Sequence, residues 1–193
     1  LQQDPENIEA NIYYSMAKMY MSEPNTALEK LNMVLSQEPE HVEALTARAH
    51  VQRVMGNLEA ALADSEQAIS INPQYAPAYA QQARIYADQG ELQNARESFQ
   101  QAVEIDPTKA SVSFNYGMLL MNLGELDEAA EQFQTVIEHG IPAREGDVMY
   151  KAATQLNLLR GGVPQENEQP QENEQPQENE QPQEDEQPQE DEQ

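Results

Sequence analysis

The sequence repeats itself on a step of 34 residues. Pro5, Pro39, Pro73 and Pro107 stand 34 apart, as do Gly56, Gly90 and Gly124. Leu58, Leu92 and Leu126 follow those glycines by two. Ala27, Ala61, Ala95 and Ala129 keep the step, with Leu31, Ser65, Phe99 and Phe133 four residues after them. Val34, Ala68, Ala102 and Val136 complete six columns in phase. A chain patterned this way is a stack of one small unit rather than a globule around a single core.

Each column has a physical reading. Proline lacks an N–H and disfavours helix just before it, so it ends one unit and opens the next. The glycine can take positive φ and end a first helix. The alanine lets two helix backbones approach closely, and the larger residue four positions on shares its helix face. Each unit therefore reads as helix, tight turn, helix, turn. One pair cannot bury its apolar faces alone, whereas stacked pairs can.

This pattern resembles the tetratricopeptide repeat family. Units are counted as 8–41, 42–75, 76–109 and 110–143. The third carries Tyr79, Ala83, Tyr86, Gly90, Ala95, Phe99, Ala102 and Pro107 where the family pattern has them. The fourth has Tyr116, Gly117, Leu120, Gly124, Ala129, Phe133 and Val136, with Pro142 one step late. In the second, Arg48 and Gln52 stand where apolar residues usually pack. In the first, Lys18 and Ser22 replace the usual aromatic and glycine. The resemblance implies an all-α fold, a right-handed superhelix of paired helices with a concave and a convex side.

The two ends extend this reading. Leu1 aligns with Leu35, Ile69 and Val103, so residues 1–7 read as the remnant of a preceding repeat, and a longer natural chain is expected upstream. Residues 144–162 read as a C-terminal capping helix with a stripe of Val148, Tyr150, Ala153, Leu156 and Leu159, stopped by Gly161 and Gly162. Beyond it, 163–193 is a low-complexity tail of P-Q-E-N-E-Q and P-Q-E-D-E-Q, expected to be disordered. The tail holds 12 of the 35 acidic residues and none of the 10 basic ones, so nearly half of the net charge of −25 lies there. Such a charge argues against nucleic-acid binding and against anionic membrane surfaces. No apolar run approaches the roughly 20 residues of a membrane span. The absence of cysteine excludes disulfides and thiol chemistry and leaves the compartment open between cytoplasm and periplasm.

Catalytic patterns are not found. The three histidines, His41, His50 and His139, form no pair at metal-ligand spacing, and there is no phosphate loop. A non-catalytic chain without metal or cofactor is expected. What the fold would supply is a surface. The resemblance implies that the first helix of each unit lines the concave groove. Helical spacing then brings Ile12, Met16 and Met19 to that face, with Tyr13 and Tyr20 adjacent. In the second unit it brings Thr46, His50 and Arg53, in the third Ala80, Arg84 and Ala87. In the fourth it brings Phe114, Met118 and Met121, with Asn115 beside them. The inferred groove is methionine-rich at both ends and basic in its middle, although the same methionines also suit inter-repeat packing. Methionine adapts to varied apolar partners and arginine suits carboxylates. The family's clamp for chaperone carboxyl termini needs Lys, Asn, Asn, Lys and Arg. No frame supplies it: the three placements begin at Ile12, Thr46 and Ala80 and give Met16, His50 or Arg84 at the second position.

Three readings follow. The first is a protein–protein interaction scaffold holding a partner segment in the groove, with Arg53 and Arg84 favouring an acidic residue. The second is the tetratricopeptide portion of a larger protein, such as a bacterial envelope or pilus-assembly lipoprotein, or an array linked to an enzyme; Asn115–Tyr116–Gly117 is loosely similar to the lipoproteins. The third is a self-associating module, a homo-oligomer built through the first unit.

Overall fold

The computed structural model describes residues 8–161. Among these residues there are nine α-helices and no strand. They are α1 (Ile8–Tyr20), α2 (Pro24–Gln37), α3 (Val42–Val54), α4 (Leu58–Ile71), α5 (Ala76–Gln89), α6 (Leu92–Ile105), α7 (Ala110–Leu123), α8 (Leu126–His139) and α9 (Pro142–Leu159). The expected remnant, 1–7, and the acidic tail, 163–193, lie outside the described residues.

The columns of the sequence set the helix ends. Helices α2, α4 and α6 each stop two residues before Pro39, Pro73 and Pro107. Gly56, Gly90 and Gly124 turn the chain with φ of 82°, 80° and 81°. At each of these turns the N–H after the glycine returns to a carbonyl five residues back, as in Glu91 N to Tyr86 O at 2.8 Å. The turn between α1 and α2 makes the same bond, Glu23 N to Lys18 O at 2.9 Å, but with Ser22 held at φ 60°. A side chain there carries a steric cost that glycine does not.

Consecutive helices pack as antiparallel-type pairs, α1 with α2, α3 with α4, α5 with α6 and α7 with α8, and each pair packs on the next. The result is an all-α helical-repeat solenoid. The alanine column lies at the contacts, with Ala27, Ala61, Ala95 and Ala129 fully buried. Leu31, Phe99, Phe133, Val34 and Val136 are buried beside them, each contributing about 1.5–3 kcal/mol through area removed from water. Helix α9 packs on α8 and α7 and covers the last pair. Its packed residues are Val148, Met149, Ala152, Leu156 and Leu159. Tyr150 and Ala153, expected in that stripe, are exposed. Counting back from Leu156 by four and seven reaches Ala152 and Met149, which is the face turned toward α7 and α8. The helix bends at Glu145 (φ −126°, ψ 16°), whose carboxylate accepts from the Ile141 N–H at 3.0 Å.

The apolar core falls into two clusters. One joins Ile12, Leu31, Leu45, Val51 and their neighbours in α1–α5; the other joins Phe99, Tyr116, Leu120, Phe133 and Leu156 in α5–α9. In the second, Phe99 stacks on Tyr116 at 6.0 Å and Phe114 tilts against Phe133 at 5.7 Å. Gly117 makes room for that ring, since a Cβ there would stand 2.8 Å from Phe133 Cε1. Within the helix pairs some partly buried contacts are polar. Arg48 on α3 donates through Nε and Nη2 to the Asp64 carboxylate on α4, both at 2.7 Å, and through Nη1 to Asn32 on α2 at 2.9 Å. One unit on, at the same register, Ser98 donates to Gln82 at 3.0 Å. Arg48, which the apolar pattern marked as a misfit, is therefore half of a paired interior charge.

Candidate functional site

The first helices of successive units lie side by side, with α1 on α3 and α3 on α5. Together with the start of α7 they line an open groove of about 1080 Å³. A step of 34 residues moves from one helix to the equivalent place on its neighbour. Hence Glu9, Glu43, Pro77 and Ser111 form one row of the groove, and Met16, His50 and Arg84 another, deeper along the helices.

Of the residues expected at this face, Ile12, Tyr13, Met16, Met19, His50 and Arg84 line the groove. Tyr13 and Met16 are 71% and 48% exposed, so the α1 wall offers apolar surface to a ligand rather than to the core. Ile12 is buried and Met19 packs partly on the N-terminal core cluster, so these two form the floor. Tyr20 is the last residue of α1. Arg53 is outside the groove lining and forms an ion pair with Asp88 on α5, Nη1 to Oδ2 at 2.7 Å. The residues from α7 are not brought together with the others. Phe114 is drawn into the core against Phe133 because Gly117 leaves space for the two rings. Asn115 and Met118 lie on the same helix outside the cavity lining, Met118 being 40% exposed. Spacing along the helix did not bring Tyr75 or Gln81 to this face; both line the groove, as do Thr46, Val51, Val54 and Ala80. Gln81 was within reach of the 34-residue step, being the counterpart of Tyr13; Tyr75 precedes its helix and follows no helical register.

The electrostatics of the groove are uneven. Glu9 and Glu43 occupy the rim at the N-terminal ends of α1 and α3. His41 caps α3, its Nδ1 accepting from the Ala44 N–H at 3.3 Å. Deeper in, His50 Nδ1 and Gln81 Oε1 are buried without a hydrogen-bond partner among the described residues. Burial, followed by the charges of Arg53 and Arg84, pulls His50 below its ordinary value of 6.5, so its imidazole is neutral at pH 7. Burial and then Arg53 press Arg84 in the same direction, but a guanidinium remains charged. The groove can therefore hold an extended or helical polypeptide, with an apolar wall on one side and an uncompensated cation on the other.

Tetratricopeptide repeat family models match residues 42–75 and 86–140. No curated protein matches the chain in sequence. Among solved structures, the chain is similar to TTC0263, a thermophilic tetratricopeptide protein of Thermus thermophilus. The TM-score is 0.70 at 24% identity, over 79% of this chain and 83% of that one. It is similar to MamA with a TM-score of 0.59 at 26% identity, over 70% of this chain and 80% of that one. YrrB, described as a tetratricopeptide protein with an unusual peptide-binding site, gives 0.56 at 21% identity, over 82% and 78%. The family matches, the stacked helix pairs and these neighbours agree: the chain is a tetratricopeptide repeat protein.

Proposed function

We propose that the chain is a non-catalytic scaffold that holds a segment of a partner protein in the groove lined by α1, α3 and α5. The observation that carries this is the wall of α1, where Tyr13 and Met16 stand exposed over a cavity of about 1080 Å³. Exposed apolar side chains rimming a groove mark a surface that gains by being covered. Apolar contact supplies the affinity, and methionine adapts its shape to the ligand. YrrB, of similar fold, is named for a peptide-binding site, which supports peptide holding as the role of such a fold.

The test is selection of random twelve-residue peptides displayed on a carrier. The chain should yield binders, and Tyr13→Asp with Met16→Asp should abolish their binding while helicity is unchanged. Binders indifferent to both substitutions would place recognition elsewhere.

A second reading is self-association through the first unit. It is favoured by Met21, just after α1, and Met33 on α2, exposed at 63% and 44%. Sedimentation over a wide concentration range should then show dimers, and a monomer throughout removes this reading.

A further inference from the structure

Resting on the groove reading, we infer that the ligand carries an acidic side chain which docks on the Arg84 guanidinium, and that its apolar side chains run from there towards α1. The other arginines of α3 to α6 are spent on ion pairs within the chain, as is Lys18. Arg48 is paired with Asp64, Arg53 with Asp88, Arg96 with Glu125 and Glu128, and Lys18 with Glu23. Among the described residues, Arg84 has no carboxylate within ion-pair distance, although the protein has 35 acidic residues to 10 basic ones. It is half-buried in the groove, where an unpaired charge is costly to keep.

Its neighbour on α3 suits a carboxylate. His50, the equivalent residue there, holds a buried ring nitrogen, Nδ1, without a partner among the described residues. A carboxylate can accept two N–H bonds from the guanidinium and one from the imidazole. The rim rows disfavour the acid elsewhere, because Glu9 and Glu43 would repel it. On the far side of His50 the groove becomes apolar at Met16, Tyr13 and Ile12. The order of chemistry across α5, α3 and α1 is therefore acid-binding, neutral, apolar. The chain's own tail, 164–193, is rich in acid but has no apolar side chain apart from proline, so it matches only one end of this surface.

Peptides displayed with both ends joined to the carrier have no free carboxyl terminus, so they test the side chain. Selected binders should share Asp or Glu at one place, with apolar residues on one side of it. Replacing that acid by its amide should weaken binding about ten- to a hundredfold, the range of a charge-assisted contact. Arg84→Gln should weaken it as much, and both changes together no more than either alone. The peptide-side change leaves the protein intact, so it decides the matter even where Arg84→Gln disturbs the fold. Binders without an acid, or indifferent to Arg84→Gln, overturn this inference and leave the groove reading standing. An absence of binders overturns both. A synthetic P-Q-E-D-E-Q-P-Q-E-D-E-Q peptide bound as tightly as the selected ones would overturn the apolar half.

Discussion

Replacing Asp64 with alanine removes the carboxylate that neutralises Arg48. The Asp64 side chain is 7% exposed and Arg48 22%, and two bonds of 2.7 Å are lost. Removing one partner of a buried pair costs about 3–5 kcal/mol because the other charge is left stranded. Arg48 is not sealed from water and keeps its bond to Asn32, so the loss should lie just below that range, about 2–3 kcal/mol. The double change Arg48→Gln with Asp64→Ser copies the neutral pair that Gln82 and Ser98 form one unit along. It should fall within about 1 kcal/mol of the parent, since a buried ion pair is often no better than a neutral replacement. Urea unfolding followed by circular dichroism, fitted for Asp64→Ala, Arg48→Gln, Asp64→Ser and the double variant, gives the coupling directly. The single changes should cost more than the double one. A cost for Asp64→Ala below about 0.5 kcal/mol, the level of an ordinary surface substitution, would refute the reasoning, as would a double variant no better than the singles.

Ser22→Gly should stabilise the first pair by about 1 kcal/mol, because φ 60° is strained for serine and free for glycine; a lower melting temperature would contradict this. Gly117→Ala gains about 1 kcal/mol of helix propensity but sets a Cβ 2.8 Å from a buried ring. Displacing that ring costs about 1–3 kcal/mol, so the variant should be less stable, and adding Phe133→Leu should relieve the clash. His50 binds its proton more weakly when folded than unfolded, so the unfolded state takes up more protons as pH falls below 6.5. Its share of stability is present above that pH and declines beneath it, by no more than about 1.4 kcal/mol per pH unit. The charges acting on it are Arg53 of its own helix and Arg84 of α5, with Glu9, His41, Glu43 and Lys109 lining the same groove. Compared with His50→Gln by denaturant unfolding between neutral and mildly acidic pH, the parent should lose more stability; equal slopes would show that the imidazole is not what changes.

The repeat register told most of the fold because each column is a packing requirement. Ala27, Ala61, Ala95 and Ala129 are buried because only a small residue fits where two helices cross. The same register reached the groove row of Met16, His50 and Arg84. It did not separate Arg53 from Arg84, since the partner of Arg53 lies on the next unit and periodicity carries no information about side-chain pairing. Nor did it foresee Phe114 in the core, which depends on the space left by Gly117. Arg48 looked like a defect when columns were read for apolarity alone. Read in pairs, Arg48 with Asp64 and Gln82 with Ser98 are in phase, and that signal was present in the sequence.

Both members of each interior polar pair belong to the same unit, Arg48 and Asp64 on α3 and α4, Gln82 and Ser98 on α5 and α6. A gene that gains or drops a whole 34-residue module thus carries Arg48 together with its counter-ion, whereas Arg53 and Arg96 draw theirs from the following unit. A crossover at the glycine turn, joining α3 to α6, would instead set Arg48 against Ser98 and strand a cation inside the stack. Growth of such an array by complete modules keeps these two intra-unit pairs whole, and exchange of single helices does not.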